Sequence, residues 1–470
     1  MVFTSIAFLF LFLPLFLATH LAMPSRWRNV HLLAFSLLFY AVGGGVFTGF
    51  FILSIVLNYA CGWLMARFPR ARTTWLVATL IVDLALLVWF KYSLFFAQSA
   101  NAVLGTFGLD TVPLPHVVLP MGISFFTFQG IAYVIDLYRG KHLPARSLTD
   151  FAVFKASFPQ LIAGPIVRFP DVSAALVSRR ISVADLYQGF LRLAWGLFRK
   201  LVFADSLGAV SDGVFGLPSA ERSVPYAWLG LLCYTLQIYH DFGGYSDMAI
   251  GMGRMLGFSY PENFDQPYRS TSVTVFWRRW HMTLSTWFRD YLYIPLGGSR
   301  LGTWRTYRNL FLVFALCGLW HGAAYTFVIW GLFHGTLLVG ERLLERHFSL
   351  RLSGWWGWLI TFLAVMIGWV FFRAESLPHA VAFLQNLAGL KPVTANFFPL
   401  TFYLTWDRTT VLVLALATSW LPFNWVQARF AQLNPTSRIA CLGIGGSAMA
   451  GYATIVLATN GYNPFIYFRF

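Results

Sequence analysis

The chain reads as an all-α, polytopic integral membrane protein, and three observations predict it. Hydrophobic residues make up 58% of its 470 residues, charged residues only 11%, and the mean hydropathy is +0.63, whereas a soluble domain carries about 25% charged residues. Apolar runs of the length a spanning helix needs, about 20 residues, recur along the whole chain. No long polar linker sets off a soluble domain and no internal repeat is visible. One membrane domain over residues 1–470 is therefore expected, with roughly ten to twelve helices, some short or re-entrant.

The first run, Phe3 to Leu21, has no Lys or Arg ahead of it and passes directly into further apolar sequence, so it reads as a retained helix and not a cleaved signal. Val30 to Met65 is long enough for two passes, and Gly43-Gly44-Gly45 divides it into a hairpin. Arg26 and Arg28 follow the first helix, and Arg67, Arg70 and Arg72 follow the hairpin. Both clusters can lie in the cytoplasm only if the N-terminus is outside. After Trp75 to Phe90, the charge-poor stretch Asn101 to Leu119, with Pro113 and Pro115, reads as an outer loop, and Arg139-Gly140-Lys141-His142 as a return to the cytoplasm. Gly216 to Pro225 is a second non-helical loop; Tyr226 to Ile250, Leu310 to Gly340, Trp355 to Phe372, Thr410 to Trp420 and Ile439 to Thr459 complete the spans.

The net charge of +16 fits positive-inside loops and anionic headgroups, which makes membrane lipids expected partners. No basic tail or nucleic-acid motif accompanies it, so nucleic acid is not. Only five of the 34 basic residues are lysines, and Gln266 to Asn309 carries Arg269, Arg278, Arg279, Arg289, Arg300, Arg305 and Arg308 without one lysine. A guanidinium fork serves a phosphate or several carbonyls at once, although codon bias explains the chain-wide excess equally well. Cys61, Cys233, Cys317 and Cys441 stand singly in apolar segments and read as core residues. No P-loop, zincin or Gly-x-Ser-x-Gly motif appears, and no metal or bound cofactor is called for.

Two histidines stand in tryptophan-rich settings, Phe276-Trp277-Arg278-Arg279-Trp280-His281 and Leu319-Trp320-His321-Gly322. At 100° per residue, Trp277, Trp280, His281, Leu284, Trp287, Phe288 and Tyr291 form one stripe of a helix, with Arg278, Arg279 and Arg289 opposite. A lone histidine on an apolar face is more often structural than catalytic. His321 is more pointed: Leu310 to Gly340 contains no Asp, Glu, Lys or Arg, and His321 falls about 17 Å into that run, near mid-membrane. His334 in Phe333-His334-Gly335 competes with it and, on one continuous helix, faces elsewhere. Asp241 and Asp247, around Gly243-Gly244, read as an acid–base pair or, by preference, as polar partners at a break in a membrane helix, each satisfied by a buried arginine.

The stretches Phe276-Trp277-Arg278-Arg279-Trp280-His281-Met282-Thr283-Leu284-Ser285 and Trp287-Phe288-Arg289-Asp290-Tyr291-Leu292-Tyr293-Ile294-Pro295-Leu296-Gly297-Gly298 resemble the membrane-bound O-acyltransferase (MBOAT) family, and within it the branch that O-acetylates alginate. Pro159-Gln160-Leu161-Ile162-Ala163-Gly164-Pro165, Asp241-Phe242-Gly243-Gly244-Tyr245-Ser246-Asp247, Trp369-Val370-Phe371-Phe372-Arg373-Ala374 and the terminal Phe465-Ile466-Tyr467-Phe468 extend the likeness over the whole chain. His240 and Gly243 depart from the Phe and Ser of that branch, a difference that bears on the acceptor and not the reaction.

The resemblance implies a core with a tunnel, His321 as the catalytic histidine and His281 as the second signature position. It implies acetyl-CoA as acyl donor at the cytoplasmic face, with Arg278, Arg279 and Arg289 placed to attract its phosphates. Trp280 and Trp320 supply indole N–H groups able to orient the base or the thioester. The implied function is O-acetylation of an exopolysaccharide, alginate first and cellulose, peptidoglycan or another envelope polymer as alternatives, from the bacterial inner membrane. Periplasmic or membrane-anchored acetyltransferases and a polysaccharide acceptor are the implied partners. From the residues alone, a secondary transporter or channel lined by intramembrane His, Asp and Arg is the reading of another class.

Overall fold

The computed structural model describes residues 2–394, 399–421, 429, 432–460 and 465, so of the terminal motif only Phe465 lies among the described residues. Those residues contain no strand and twelve α-helices of 14 residues or more. Phe47–Arg67, Pro69–Thr106, Tyr325–Phe348, Gly354–Arg373 and Pro435–Thr459 are long and apolar enough to cross a membrane. Phe8–Ala22 and Ile123–Tyr138 are shorter apolar helices. Large apolar side chains such as Phe10, Leu11, Trp63 and Ile81 are exposed, while Asn58, Asp83, Lys155, Asp241 and Asp247 are buried. A hydrocarbon solvent selects that inversion, because a polar group facing lipid finds no partner.

The chain forms two compact units, Met1–Gly189 with Met252–Pro261, and Phe190–Gly251 with Glu262–Phe470. In the first, the run from Val30 folds as the expected hairpin, Arg28–Gly44 and Phe47–Arg67, turned at Gly45 with φ +51°. Four helices meet around a buried polar cluster: Lys155 Nζ donates to Ser54 Oγ at 2.8 Å and Asn58 Oδ1 at 2.5 Å, and Asn58 Nδ2 donates to both oxygens of Asp83. A Cβ on Gly130 would stand 2.0 Å from Asn58 Oδ1, so the fourth helix closes on the cluster only through glycine. The outer loop expected from Asn101 begins later, since Ser93–Thr106 is helical. Asn101 pays for that extension locally: its side chain exchanges two hydrogen bonds with the backbone of Val112, 2.7 and 2.9 Å, anchoring the returning chain.

Val224–Met255, which lies in the second unit as far as Gly251, is one helix of 32 residues, unbroken at Gly243-Gly244, contrary to the expected interruption. The glycines make room instead. A Cβ on Gly243 would lie 2.2 Å from Arg199 Nη2, and one on Gly244 2.7 Å from the Gly196 carbonyl. Into that space Arg199 donates to Asp247 at 2.7 Å, and Asp247 also receives Arg192 at 2.6 Å. Lys200 joins Asp241 at 2.8 Å and Asp205 at 2.5 Å. Asp247 thus has its buried arginine, as expected, whereas Asp241 is held by a lysine instead; His240 Nδ1 receives Arg199 Nε at 3.3 Å.

The apolar run Leu310 to Gly340 is two helices, Thr303–His321 and Tyr325–Phe348, not one. Their backbones touch: a Cβ on Gly318 would meet the Phe327 carbonyl at 2.1 Å, and one on Gly331 the Phe314 carbonyl at 2.1 Å. Small residues give close packing in membranes, where no hydrophobic drive favours one apolar contact over another. Gly331→Val should abolish recovery of monodisperse protein in detergent, because the clash is with main chain. Gly340→Ala, on the same helix with nothing within 4 Å of the new methyl group, should leave the thermal midpoint equal or higher.

Candidate active site

The stretch that the wheel draws as one helix is two. Val273–Arg279 starts on a double cap: Ser272 Oγ accepts from Val275 N at 3.1 Å, and Glu341 accepts from the N–H groups of Val273 and Thr274. The helix ends at Arg279, Trp280 is extended, and His281 takes the left-handed conformation with φ +42° before Met282–Phe288 begins. Such a conformation costs a non-glycine residue roughly 1 kcal/mol, and Asn263 holds it. The Asn263 carbonyl accepts from Met282 N at 2.9 Å, while its Oδ1 accepts from Thr283 Oγ1 at 2.8 Å and Thr283 N at 3.3 Å.

The same Oδ1 lies 3.1 Å from His281 Nδ1. An amide oxygen only accepts, so Nδ1 carries the hydrogen and Nε2 carries the lone pair. Nε2 is buried and has no hydrogen-bond partner among the described residues. The break turns His281 towards the end of the other interrupted helix. Its ring centroid lies 6.3 Å from that of His321 and 5.9 Å from that of Trp320. The two imidazoles are too far apart for a direct hydrogen bond and near enough for one hydroxyl to lie between them.

His321 is the last residue of its helix, because Gly322 is extended, with φ −158°, and passes under Phe327, whose ring a Cβ there would strike at 2.2 Å. Trp320, Trp330 and Phe372 enclose the imidazole with centroids at 5.0, 5.1 and 5.2 Å. Phe242 closes on His281 at 4.6 Å. His281 and His321 are 0% and 3% exposed, so the pair sits in a buried aromatic box.

Of the other sequence candidates, Trp320 neighbours both histidines, its ring 5.9 Å from that of His281 and 5.0 Å from that of His321, whereas the Trp280 ring packs on Trp369 and Phe264 at 4.9 and 5.0 Å. His334 is packed and bonded: the Trp277 indole donates to its Nδ1 at 3.3 Å. With the helix broken at Gly322, His334 and His321 both pack on Trp330, each 5.1 Å from it. Arg278 and Arg289 share the wall of a cavity of about 410 Å³ with Trp277, Phe314 and Cys317. Cys317 is one helical turn before His321. Arg279 lies outside that cavity and faces Asp265 at 3.9 Å.

Sequence reasoning missed Arg342, which joins the two arginines in the cavity wall, and the collar residues Phe242, Trp330 and Phe372. Phe242 and Phe372 were visible as parts of motifs without roles. Asn263 carried no signal, since nothing local marks it as the partner of a residue 18 positions away. Asn263→Ala should lower stability by about 1–3 kcal/mol, the cost of leaving a buried N–H and its partners unsatisfied, as a reduced unfolding midpoint in detergent; Asn263→Asp, which keeps the acceptor, should recover part of it.

The model of the membrane-bound O-acyltransferase family matches residues 141–377, which contain His281, His321 and the whole collar. A probable alginate O-acetylase of Azotobacter vinelandii is 48% identical over 386 residues, covering 81% of this chain and 76% of the relative. The corresponding protein of Pseudomonas putida is 41% identical over the full length of both. The peptidoglycan O-acetyltransferase of Helicobacter pylori is 36% identical, over 84% of this chain and 81% of the relative. A transporter or channel is set aside by these matches: the chain belongs to the membrane-bound O-acyltransferase family and is a multi-pass membrane enzyme of acyl transfer.

Proposed function

We propose that the protein transfers acetyl groups from cytosolic acetyl-CoA to a hydroxyl acceptor across the bacterial inner membrane, for O-acetylation of an exopolysaccharide, alginate first. The observation that carries this reading is the convergence of His281 and His321 in one buried aromatic box, a helical turn from an arginine-walled cavity. Alginate ranks above peptidoglycan because relatives named for it are the more similar, 48% and 41% identical against 36%; cellulose stays an alternative. The direct acceptor is a sugar hydroxyl or a serine of a periplasmic or membrane-anchored acetyltransferase that passes the group on, and the chemistry at His321 is the same for both.

In this reading His321 takes the proton of the acceptor hydroxyl as its oxygen attacks the thioester carbonyl; the carbon–sulfur bond then breaks and the thiolate leaves, receiving the proton. His281, with its tautomer set by Asn263, offers Nε2 as an acceptor that orients the attacking hydroxyl. The Trp320 indole N–H is a donor for the tetrahedral oxyanion, whose charge is worth most to stabilise where water is excluded. Arg278, Arg289 and Arg342 suit the donor's phosphates, and the closeness of the collar to His321 suits a two-carbon acyl group.

Purified protein in detergent, given acetyl-CoA and an acceptor, should release free CoA without a sealed membrane. His321→Ala should lower that rate by about 10²- to 10⁴-fold at unchanged expression and elution profile, while His334→Ala keeps most of it. Retained turnover in the first variant would sink the catalytic assignment. Phe372→Ala should raise the use of butyryl-CoA relative to acetyl-CoA by about tenfold; an unchanged ratio in an active variant removes the collar from acyl selection.

A further inference from the structure

A second cavity, of about 310 Å³ and wholly within the first unit, gathers Arg26, Arg28, Arg146 and Arg179 around Asn29 and Asp150. The arginines come from three separated segments: the turn before Arg28–Gly44 and the first residue of that helix, the link before Leu148–Ala156, and the residues after Phe169–Val177. Its floor is built. Asn29 Nδ2 donates to Asp150 Oδ1 and to the Leu176 carbonyl, both at 2.8 Å, and Arg179 Nη1 donates to Asn29 Oδ1 at 2.5 Å. Arg179 lies over the Phe258 ring at 4.6 Å, and its Nε and Nη2 have no hydrogen-bond partner among the described residues.

Charge in this cavity is unbalanced. Asp150 is the one carboxylate in a wall with four guanidinium groups, and Asn29 already occupies one of its oxygens. Burial, with the charge of Arg28 adding to it, draws the pKa of Arg179 down to about 10, which still leaves it charged at neutral pH. Positive-inside anchoring accounts for arginines spread along a face but not for their convergence on a structured hollow. The apolar residues nearby point to the kind of anion. Val177 lines the cavity, Trp27 stands between Arg26 and Arg28, and Val30 follows Asn29; they are 53%, 50% and 45% exposed. A soluble anion gives such side chains nothing to touch, whereas the glycerol and acyl portions of a lipid do.

We propose that this cavity binds the phosphate of an anionic phospholipid of the cytoplasmic leaflet, with its guanidinium groups on the phosphate oxygens and Trp27, Val30 and Val177 on the apolar part. Free phosphate and the phosphates of a nucleotide offer the same oxygens, so the test separates the three. Delipidated protein in neutral detergent is titrated with phosphatidylglycerol, phosphatidylcholine, inorganic phosphate or CoA, and followed by native mass spectrometry and thermal unfolding. Phosphatidylglycerol should remain bound and raise the unfolding midpoint, while phosphatidylcholine and inorganic phosphate should do neither. Any stabilisation by CoA, which the other arginine-walled cavity suits, should be the same when Arg26 and Arg146 are replaced. Arg26→Gln with Arg146→Gln, both exposed positions, should reduce phosphatidylglycerol occupancy roughly 10- to 30-fold, about the contribution of two surface arginines, while the lipid-free midpoint stays unchanged. Equal retention of phosphatidylcholine, undiminished retention in the double variant, or a stabilisation by inorganic phosphate or CoA without lipid that the double variant abolishes would each overturn the proposal.

Discussion

Backbone contact between Gly318 and Gly331 is the constraint on which the site depends. Both would-be Cβ atoms point at main-chain carbonyls 2.1 Å away, so neither side can yield by moving a side chain. Helices that approach this closely need a tight return, and the chain makes it in residues 322–324, between Thr303–His321 and Tyr325–Phe348. His321 becomes a terminal helical residue for that reason. Its ring reaches Trp330 on the partner helix and Phe372 on the next one, rather than the flank of its own helix. The same device recurs at His281, where a left-handed residue between two short helices redirects the imidazole. In hydrocarbon each break exposes backbone groups that must be repaid from within the protein, and Asn263 does so at one of them.

Charge is kept near the box but out of it. Arg199 and Asp247 form one buried pair, joined by the partly exposed Arg192, and Lys200 and Asp241 another, joined by Asp205, all along the face of Val224–Met255 that meets the chain around Arg192 to Asp205. Removing one partner of such a pair strands a buried charge and costs about 3–5 kcal/mol, so these residues fix the position of the long helix. Phe242, between Asp241 and Gly243 on that helix, is thereby held against His281. The ions set the frame, while the rings that line the box are aromatic.

The sequence made the helical class and the hairpin at Gly45 legible, and it singled out His281 and His321, whose ring centroids the fold brings to 6.3 Å, because each rests on local composition or on a long motif. It misled wherever a glycine served a tertiary purpose. Gly243-Gly244 looks like a helix break and is a seat for Arg199; Gly322, inside a run that reads as one charge-free stretch, is a helix break. Periodicity cannot tell these apart, since in both cases the missing Cβ is needed by a residue distant in the chain. The wheel through Trp277 to Tyr291 failed for a related reason: the residue that stops the helix, Asn263, lies outside the window on which the wheel is drawn.

The aromatic collar bears on the chemistry in two ways that share one cause. A thioester beside a general base is open to attack by water, and a site that passes acyl groups between compartments must exclude water while it waits for its acceptor. In the proposed function, the rings with centroids 5.0–5.2 Å from His321 supply that exclusion by contact. Contact that close also fixes the size of what can stand beside the imidazole. On the proposed reading, protection from hydrolysis and choice of a two-carbon acyl group are therefore one property of the packing. A substitution that loosens the collar should weaken both together, and one at the arginine wall of the donor cavity should weaken neither.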